Sequence, residues 1–447
     1  MKLKDYLKTC DEVVHTTLDP EAPGVCRLHL VPPKNPKPST PWVVIINGYS
    51  VLPLSSAWAV LLKLFISELN LRPGILRDED VDALVSATIE RAKEIFPGVK
   101  DEEFKRDLSD MIATFRALAV GKEPKADLGY MTLSEYARHM SAPHRMDLMI
   151  SSLQSEGKWH CNQRCLHCYA NEPLAMQEEL TTEQWFAILD KCRKACIPAV
   201  TFTGGEPTLR KDLVALVEHA KWFVTRLNTN GILLTKELCS ALAKASLDSV
   251  QVTLYSHDES VHNALVGGEH FQETVQGIRN ALEAGLDVSI NTPLCSLNAD
   301  YEKTVEFAHS LGLTYLSSSG LIPSGNAKGE ASKGTALTRK EITAALERAR
   351  EFAIAHEMEL SFTSPGWIAA KTLKSWNMVV PSCGACLSNM AISPNGSVLP
   401  CQSWLGGETL GSMLTDDWKK IWKGKRCKEI RARSAKEQHV CLLKEGV

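Results

Sequence analysis

The spacing of cysteines is the first feature of the chain that could do chemistry. Cys161-Asn-Gln-Arg-Cys165-Leu-His-Cys168-Tyr169 sets three thiols in a C-x3-C-x2-C loop after a predicted strand. Three thiolates this close cannot complete the tetrahedron of one zinc ion without a fourth ligand, whereas a four-iron, four-sulfur cube accepts three and leaves one iron open. The spacing suits a cluster with a vacant site. About 35 residues further on, Thr203-Gly204-Gly205-Glu206-Pro207 ends a second strand. Its two glycines let a ligand approach the backbone, and its glutamate offers an acceptor for an ammonium group. A second group of thiols follows near the C-terminus, where Cys383-Gly-Ala-Cys386 is followed by nine residues, Gly396, four residues and Cys401. The intervening Ile392-Ser-Pro-Asn-Gly-Ser-Val-Leu reads as a hairpin, so two ligands before it and one after it can converge.

The C-x3-C-x2-C loop followed by a Gly-Gly-Glu at a strand end resembles the radical S-adenosylmethionine (SAM) superfamily over roughly residues 146–345. The resemblance implies that Cys161, Cys165 and Cys168 hold a four-iron, four-sulfur cluster whose fourth iron binds the amino and carboxylate groups of SAM. It implies that Gly204, Gly205 and Glu206 receive the methionyl amino group, that Asn230 and Thr253 contact the ribose, and that Tyr169 borders the adenine. It also implies the reaction. An electron from a flavodoxin- or ferredoxin-type donor cleaves the sulfonium, and a 5′-deoxyadenosyl radical takes a hydrogen atom from substrate while the protein keeps it from solvent. The Cys386-to-Cys401 hairpin, with Pro323-x-Gly325-Asn326-Ala327 as its lead-in, resembles the opening of SPASM or twitch subdomains, which hold auxiliary clusters. A full SPASM domain would continue with a C-x2-C-x5-C segment and another cysteine, but only Cys427 and Cys441 remain before Val447. One auxiliary four-iron, four-sulfur cluster is therefore expected, on Cys383, Cys386, Cys401 and Cys441; Cys427 lies in the helical run Trp422–Arg433, where a thiol is more often packing. Zinc on the same four thiolates is the competing reading.

These residues need a scaffold that brings strand ends together. From about residue 146 strands alternate with amphipathic helices: Met146–Leu153, Ala199–Thr203, Phe223–Asn228, Val250–Tyr255, Val288–Asn291 and Tyr315–Ser318, with capping boxes at Thr181-x-x-Gln184 and Thr338-x-x-Glu341. Six β/α units predict an α/β fold, a partial (β/α)6 TIM barrel with its chemistry on loops at the carboxyl ends of the strands. Cys295, in Asn291-Thr-Pro-Leu-Cys295 after the fifth strand, is expected on that rim as a candidate catalytic thiol that could donate a hydrogen atom to a carbon radical, packing being the plainer alternative. Cys10, Cys26, Cys192, Cys196 and Cys239 read as buried free thiols.

The first 122 residues follow another pattern. Val25–Val31 and Trp42–Ile46 read as strands, the latter ending in the turn signal Asn47-Gly48. Ser55 and Asp78 can cap helices whose inward stripes are Trp58, Leu61, Leu62, Phe65 and Leu69, then Val81, Leu84, Val85 and Ile89; Phe104, Leu108, Ile112 and Phe115 make a third. Two or three strands and three helices predict an α+β, winged-helix-like domain. Its order resembles the small winged-helix domain that binds leader peptides in peptide-maturation pathways, which implies that a peptide adds as a strand at a sheet edge, here near Trp42–Ile46. The expected domains are thus 1–122 for peptide recognition, a linker over 123–145, the barrel over 146–345, and a cysteine-rich twitch or SPASM-like subdomain over 346–447.

Composition narrows the alternatives. A net charge of −3 over 447 residues leaves no broad basic field for nucleic acid. The longest apolar stretch, Ala57–Ile66, is broken by Lys63 and falls short of a membrane span of roughly 20 residues. The N-terminus lacks a signal-peptide core, so a cytoplasmic location is expected, where fourteen cysteines serve as metal ligands or free thiols rather than disulfides. The expectation is a radical SAM enzyme that modifies a ribosomally made precursor peptide, forming a thioether or carbon–carbon crosslink. The alternatives are a peptide epimerase, a backbone-modifying maturase, or a dehydrogenase or maturase acting on a small molecule or another protein.

Overall fold

The computed structural model describes residues 2–10, 12–18, 26–47, 50–72, 78–119, 122, 137–437 and 439–445. The chain divides into two compact units, residues 1–142 with 193–198, and residues 143–192 with 199–447.

In the first unit a short helix, α1 (Leu3–Leu7), precedes four strands, β1 (Val14–Leu18), β2 (Cys26–Val31), β3 (Trp42–Ile46) and β4 (Ser50–Leu54), and three helices, α2 (Ser56–Asn70), α3 (Asp78–Ile95) and α4 (Asp101–Ala119). The strands form an antiparallel sheet in the order β1-β2-β3-β4, one strand more than expected. β3 is an inner strand. Val44 is in register with Leu30 of β2 on one side and Leu52 of β4 on the other, and all five β3 residues are at most 1% exposed. Trp42–Ile46 is therefore not a docking edge: its ladder groups are used on both sides, and an unbroken apolar run marks a strand buried on both faces. The outer strands are β1 and β4. Asn47 takes the turn with φ 49°, and Ser55 Oγ caps α2 by accepting from the Trp58 N–H at 3.3 Å. Leu61, Leu62, Phe65, Leu84, Ile89, Phe104, Leu108 and Phe115 pack as expected, but Val81 is 41% exposed. Residues 123–136 of the expected linker lie outside the described residues.

The second unit is built on a nine-stranded sheet in the order β13-β12-β11-β10-β9-β8-β5-β14-β15. The six expected barrel strands appear within a few residues of their expected bounds as β5 (Arg145–Ser151), β8 (Ala199–Gly204), β9 (Val224–Thr229), β10 (Ser249–Thr253), β11 (Asp287–Pro293) and β12 (Tyr315–Ser319), all parallel. Between β5 and β8 a small hairpin, β6 (Gln154–Ser155) and β7 (Lys158–Trp159), leads into the cysteine loop. Both expected capping boxes form, Thr181 with Gln184 and Thr338 with Glu341.

The expected boundary at 345/346 falls inside the helix Arg339–Ala355, which returns the chain to a further parallel strand, β13 (Glu359–Phe362), beside β12. At the other end β14 (Asn389–Ile392) pairs in parallel with β5 and carries β15 (Val398–Leu399) antiparallel, so the cysteine-rich hairpin extends the barrel sheet. Edge pairing of this kind leaves no local signature, because β5 reads the same whether or not its second side is covered. Among the described residues no helix is long and apolar enough to cross a membrane.

Candidate cluster and cofactor site

A cavity of about 480 Å³ opens inside the second unit, and its walls include Cys161, Cys165, Cys168, Gly204, Gly205 and Glu206 together with Cys383, Cys401 and Cys441. Asn230, Thr253 and Tyr169 line it as well. Residues separated by almost 300 positions thus face one space.

The cysteine loop carries little regular structure of its own and is held from outside. Arg164 N–H donates to Val266 O at 3.0 Å and Leu166 N–H to Leu265 O at 2.8 Å. Asn326 holds two cysteine carbonyls, Cys165 O through its side-chain Nδ2 at 2.8 Å and Cys168 O through its backbone N–H at 2.9 Å. Gly325 must be glycine: its φ is 56°, and a Cβ would stand 2.3 Å from Cys168 O. The Pro323-x-Gly325-Asn326-Ala327 segment therefore clamps the cluster loop. His167 Nε2 meets Thr335 Oγ1 at 2.8 Å, away from the thiols.

The Gly-Gly pair has a structural task as well. A Cβ on Gly204, φ 142°, would meet Ser151 O at 2.3 Å, and one on Gly205 would meet Ser152 O at 2.6 Å. The missing side chains make room for the end of β5, and both glycines also line the cavity. That close approach lets Gly205 N–H donate to Ser151 O at 2.9 Å and Glu206 N–H to Ser151 Oγ at 3.0 Å. Glu206 is thereby buried, with Oε1 accepting from Thr208 N–H at 3.0 Å, Thr208 Oγ1 at 2.5 Å and Thr229 Oγ1 at 2.6 Å, and Oε2 from Asn230 N–H at 2.8 Å. Oε2 keeps a free lone pair, the geometry an ammonium group needs. Burial pushes the Glu206 carboxyl above the usual range despite these donors. Asn230 is engaged: its Nδ2 donates to Asn162 Oδ1 at 2.7 Å, tying the third strand end to the cysteine loop.

Burial pushes the Cys161 thiol up to about 12 and raises Cys165 and Cys168, and the Cys161 and Cys168 thiols raise Cys165 further. Raised in this way the three thiols are neutral, and a cationic cluster would be held by them as thiolates, its charge offsetting the cost of their deprotonation. The soft donor set and the open cavity beside it fit an iron–sulfur cluster. Tyr169 is half-buried near both cysteine groups; after desolvation, the nearby Cys168 is the chief cause that raises its hydroxyl, and Cys401 adds to it.

In the C-terminal group Cys383, Cys401 and Cys441 face the cavity while Cys386 sits behind them, at φ 54°, with its N–H on Pro400 O at 2.9 Å. Cys427 is buried on its helix and does not line the cavity. Ser434 Oγ donates to Ala385 O at 2.7 Å and pins the helix Lys425–Lys436 against the cysteine turn, so that the Cys427 thiol meets that of Cys386. Arg431 Nη1 stands 3.4 Å from Cys427 Sγ. The hydrogen bond from Cys386, then Arg431, hold the Cys427 thiol below its ordinary value. The thiols line the wall rather than converge: among the described residues no three His, Cys, Asp or Glu side chains are gathered closely enough for a single ion.

Cys295 lies two residues beyond β11 but is wholly buried, packed with Tyr255, Leu265 and Val266, and does not line the cavity. Its thiol accepts from the Asn298 N–H while Asn298 Oδ1 accepts from its own N–H at 2.8 Å. The sulfur is spent on a cap, which turns it away from the expected rim. Two arginines that line the cavity, Arg145 and Arg226, were missed; the signal was a charge inside an otherwise apolar strand pattern.

Residues 160–308 match the radical SAM superfamily and residues 383–442 match the SPASM iron–sulfur cluster-binding domain. The fold is similar to the crystal structure of Streptococcus suis SuiB bound to precursor peptide SuiA, at 16% identity and a TM-score of 0.59 over 87% of each chain. It is also similar to native anSMEcpe with bound AdoMet, at 17% identity and a TM-score of 0.52, covering 65% of this chain and 84% of that one. The cofactors are iron–sulfur clusters and SAM. With an N-terminal α+β unit and a parallel partial barrel, the chain carries a radical SAM domain over residues 160–308 and an iron–sulfur cluster-binding domain over residues 383–442, the domains of a radical SAM enzyme.

Proposed function

We propose that the chain modifies a ribosomally made precursor peptide, installing a thioether or carbon–carbon crosslink. The observation that carries this reading is that both cysteine groups and Glu206 line one cavity, so hydrogen abstraction and a route for the departing electron share a space. When bound, SAM and the cluster supply a 5′-deoxyadenosyl radical, and an auxiliary cluster supplies an exit for the electron that crosslinking releases. The rest is the work of the chain. Cys161, Cys165 and Cys168 hold the first cluster; Cys383, Cys386, Cys401 and Cys441 hold one auxiliary cluster. Glu206 Oε2 takes the methionyl ammonium, Gly204 and Gly205 place that carboxylate, and Thr253, Asn230 and Tyr169 border the nucleoside. The apolar wall around Leu153, Trp159 and Tyr169 keeps water from the reacting atoms.

Residues 1–122 serve as the peptide-recognition domain, with the leader segment adding to an outer strand, β1 or β4, of the four-stranded sheet. The SuiB structure, of similar fold, is one bound to a precursor peptide. A flavodoxin- or ferredoxin-type protein delivers the electron, and a reducing cytoplasm suits fourteen cysteines that form no disulfide. The test is to load the chain with iron and sulfide anaerobically, add SAM, a reductant and the peptide encoded beside the gene, and weigh the product. A loss of two hydrogens supports crosslinking; an unchanged mass with deuterium uptake from solvent indicates epimerisation; SAM cleavage with no change in the peptide overturns the peptide reading.

A further inference from the structure

The barrel interior holds a feature that the cofactor site leaves unused. Arg145 of β5, Thr201 of β8, and Arg226 and Asn228 of β9 line the cavity, the two arginines in the amino-terminal halves of their strands. On β10 to β13 the polar side chains satisfy one another. Gln251 Nε2 donates to Ser317 Oγ at 3.2 Å, Ser317 Oγ donates to Asn291 Oδ1 at 3.1 Å, and the Tyr315 hydroxyl meets Ser361 Oγ at 2.9 Å. On β8 and β9 they do not: Thr201 Oγ1 and Asn228 Oδ1 are buried without partners.

Arg226 is the centre of this unsatisfied wall. Its hydrogen bond runs from Nε to Ser249 Oγ at 3.4 Å, and among the described residues it makes no ion pair. The charged and titratable groups facing it are Arg145, Asp147, Asp287 and Tyr315. Asp147 pairs with Arg145, Nε to Oδ1 at 2.9 Å, while its Oδ2 is buried without a hydrogen-bond partner, and Asp287 lies at the exposed start of β11. A guanidinium inside a barrel needs an anion or several acceptors to offset its lost hydration, and its planar fork matches a carboxylate.

We propose that Arg226, flanked by Arg145, Thr201 and Asn228, is a subsite for a carboxylate group of the substrate. The proposal rests on the reading of this cavity as the place where substrate is held. It adds that one acidic group, an aspartate or glutamate side chain or the C-terminal carboxylate of the peptide, reaches into the barrel and sets which residue meets the radical. Arg226 supplies two parallel N–H donors and the Thr201 hydroxyl supplies a third.

The probe is trifluoroacetate, followed by fluorine NMR on the cluster-loaded full chain. Line broadening that acetate competes away, and that weakens at least tenfold in Arg226→Gln, is expected; Arg226→Lys, which keeps the charge and loses the fork, should fall between and carries the comparison if Arg226→Gln does not fold. Broadening that is absent, or equal in all three proteins, overturns the proposal. Displacement of trifluoroacetate by SAM also overturns it, since the arginine would then serve the cofactor. With the neighbouring-gene peptide, each Asp→Asn or Glu→Gln change and a C-terminal amide are compared. One of them should raise KM about tenfold in the parent enzyme and change nothing in Arg226→Gln; a series in which no carboxylate does so refutes substrate recognition. The NMR arm needs no SAM turnover, so failure of the peptide reading and failure of the subsite are told apart.

Discussion

Glu206→Gln probes the cofactor site at its most constrained atom. The carboxylate takes three donors on Oε1 and one, the Asn230 N–H, on Oε2. A glutamine fits the space but has one acceptor oxygen. Set at Oε1 it serves three donors and points its NH2 at the Asn230 N–H; set the other way it opposes three donors. The first arrangement costs less, leaving one buried N–H without an acceptor, about 1–3 kcal/mol. At about 2–4 °C of melting temperature per kcal/mol for a unit of this size, the fold should survive. Cofactor binding is hit harder, because the amide offers a donor where an ammonium needs an anionic acceptor. Removing one partner of a buried charge pair costs about 3–5 kcal/mol, and the open cavity reduces this to about 2–4 kcal/mol, or a Kd raised roughly 30- to 1,000-fold. Anaerobic calorimetry of SAM on parent and variant, each with iron content measured, reads the effect. A Kd within threefold of the parent, with clusters intact, would refute the role given to Oε2; loss of iron together with SAM binding would refute the claim that the effect is local.

The two cysteine groups predict about eight irons per chain, and replacing Cys161, Cys165 and Cys168 together by alanine should remove half of them and all SAM cleavage. Cys441→Ala and Cys427→Ala then decide the auxiliary ligand: the first should lower iron by about four with the second near the parent value, and the reverse result would reassign the fourth ligand to Cys427, which touches Cys386. Cys295→Ala should leave crosslinked product forming, since the thiol is buried away from the cavity; loss of product with clusters and SAM cleavage unchanged would contradict this. His144 and His262 are both pushed down to about 4 by burial, with His270 adding to the effect on His262. Their folded values lie below the ordinary 6.5, so the unfolded chain binds more protons between those limits, and the stability present above pH 6.5 is lost as pH falls toward 4. Each contributes about 2 kcal/mol of that loss by pH 5. Urea midpoints at pH 7 and pH 5 should show it, and a flat response would mean that the rings are not held neutral; the Tyr255 N–H, 3.3 Å from His262 Nδ1, requires an unprotonated nitrogen there.

What was legible in the sequence is what short-range chemistry encodes. The C-x3-C-x2-C loop, Gly-Gly-Glu after a strand, the capping boxes at Thr181 and Thr338 and the helical stripes of the N-terminal unit are all defined within a few residues, and all recur in the structure. β3 was legible as a strand, and its unbroken apolar run already pointed to an inner one. The second task of Gly204-Gly205 was not legible, because what fills the space beside them, the Ser151–Ser152 backbone, lies some fifty residues away. Cys295 was misplaced on a similar ground. A position at a strand end says nothing of which way a thiol points, and here a cap through Asn298 decided it. Only tertiary structure added β13 and β14 to the barrel sheet, because the pairing of a strand edge depends on distant chain. The same holds for Arg226: alternation along β9 puts it on one face with Asn228, and only the curvature of a sheet of parallel strands turned that face into the inside of a cavity.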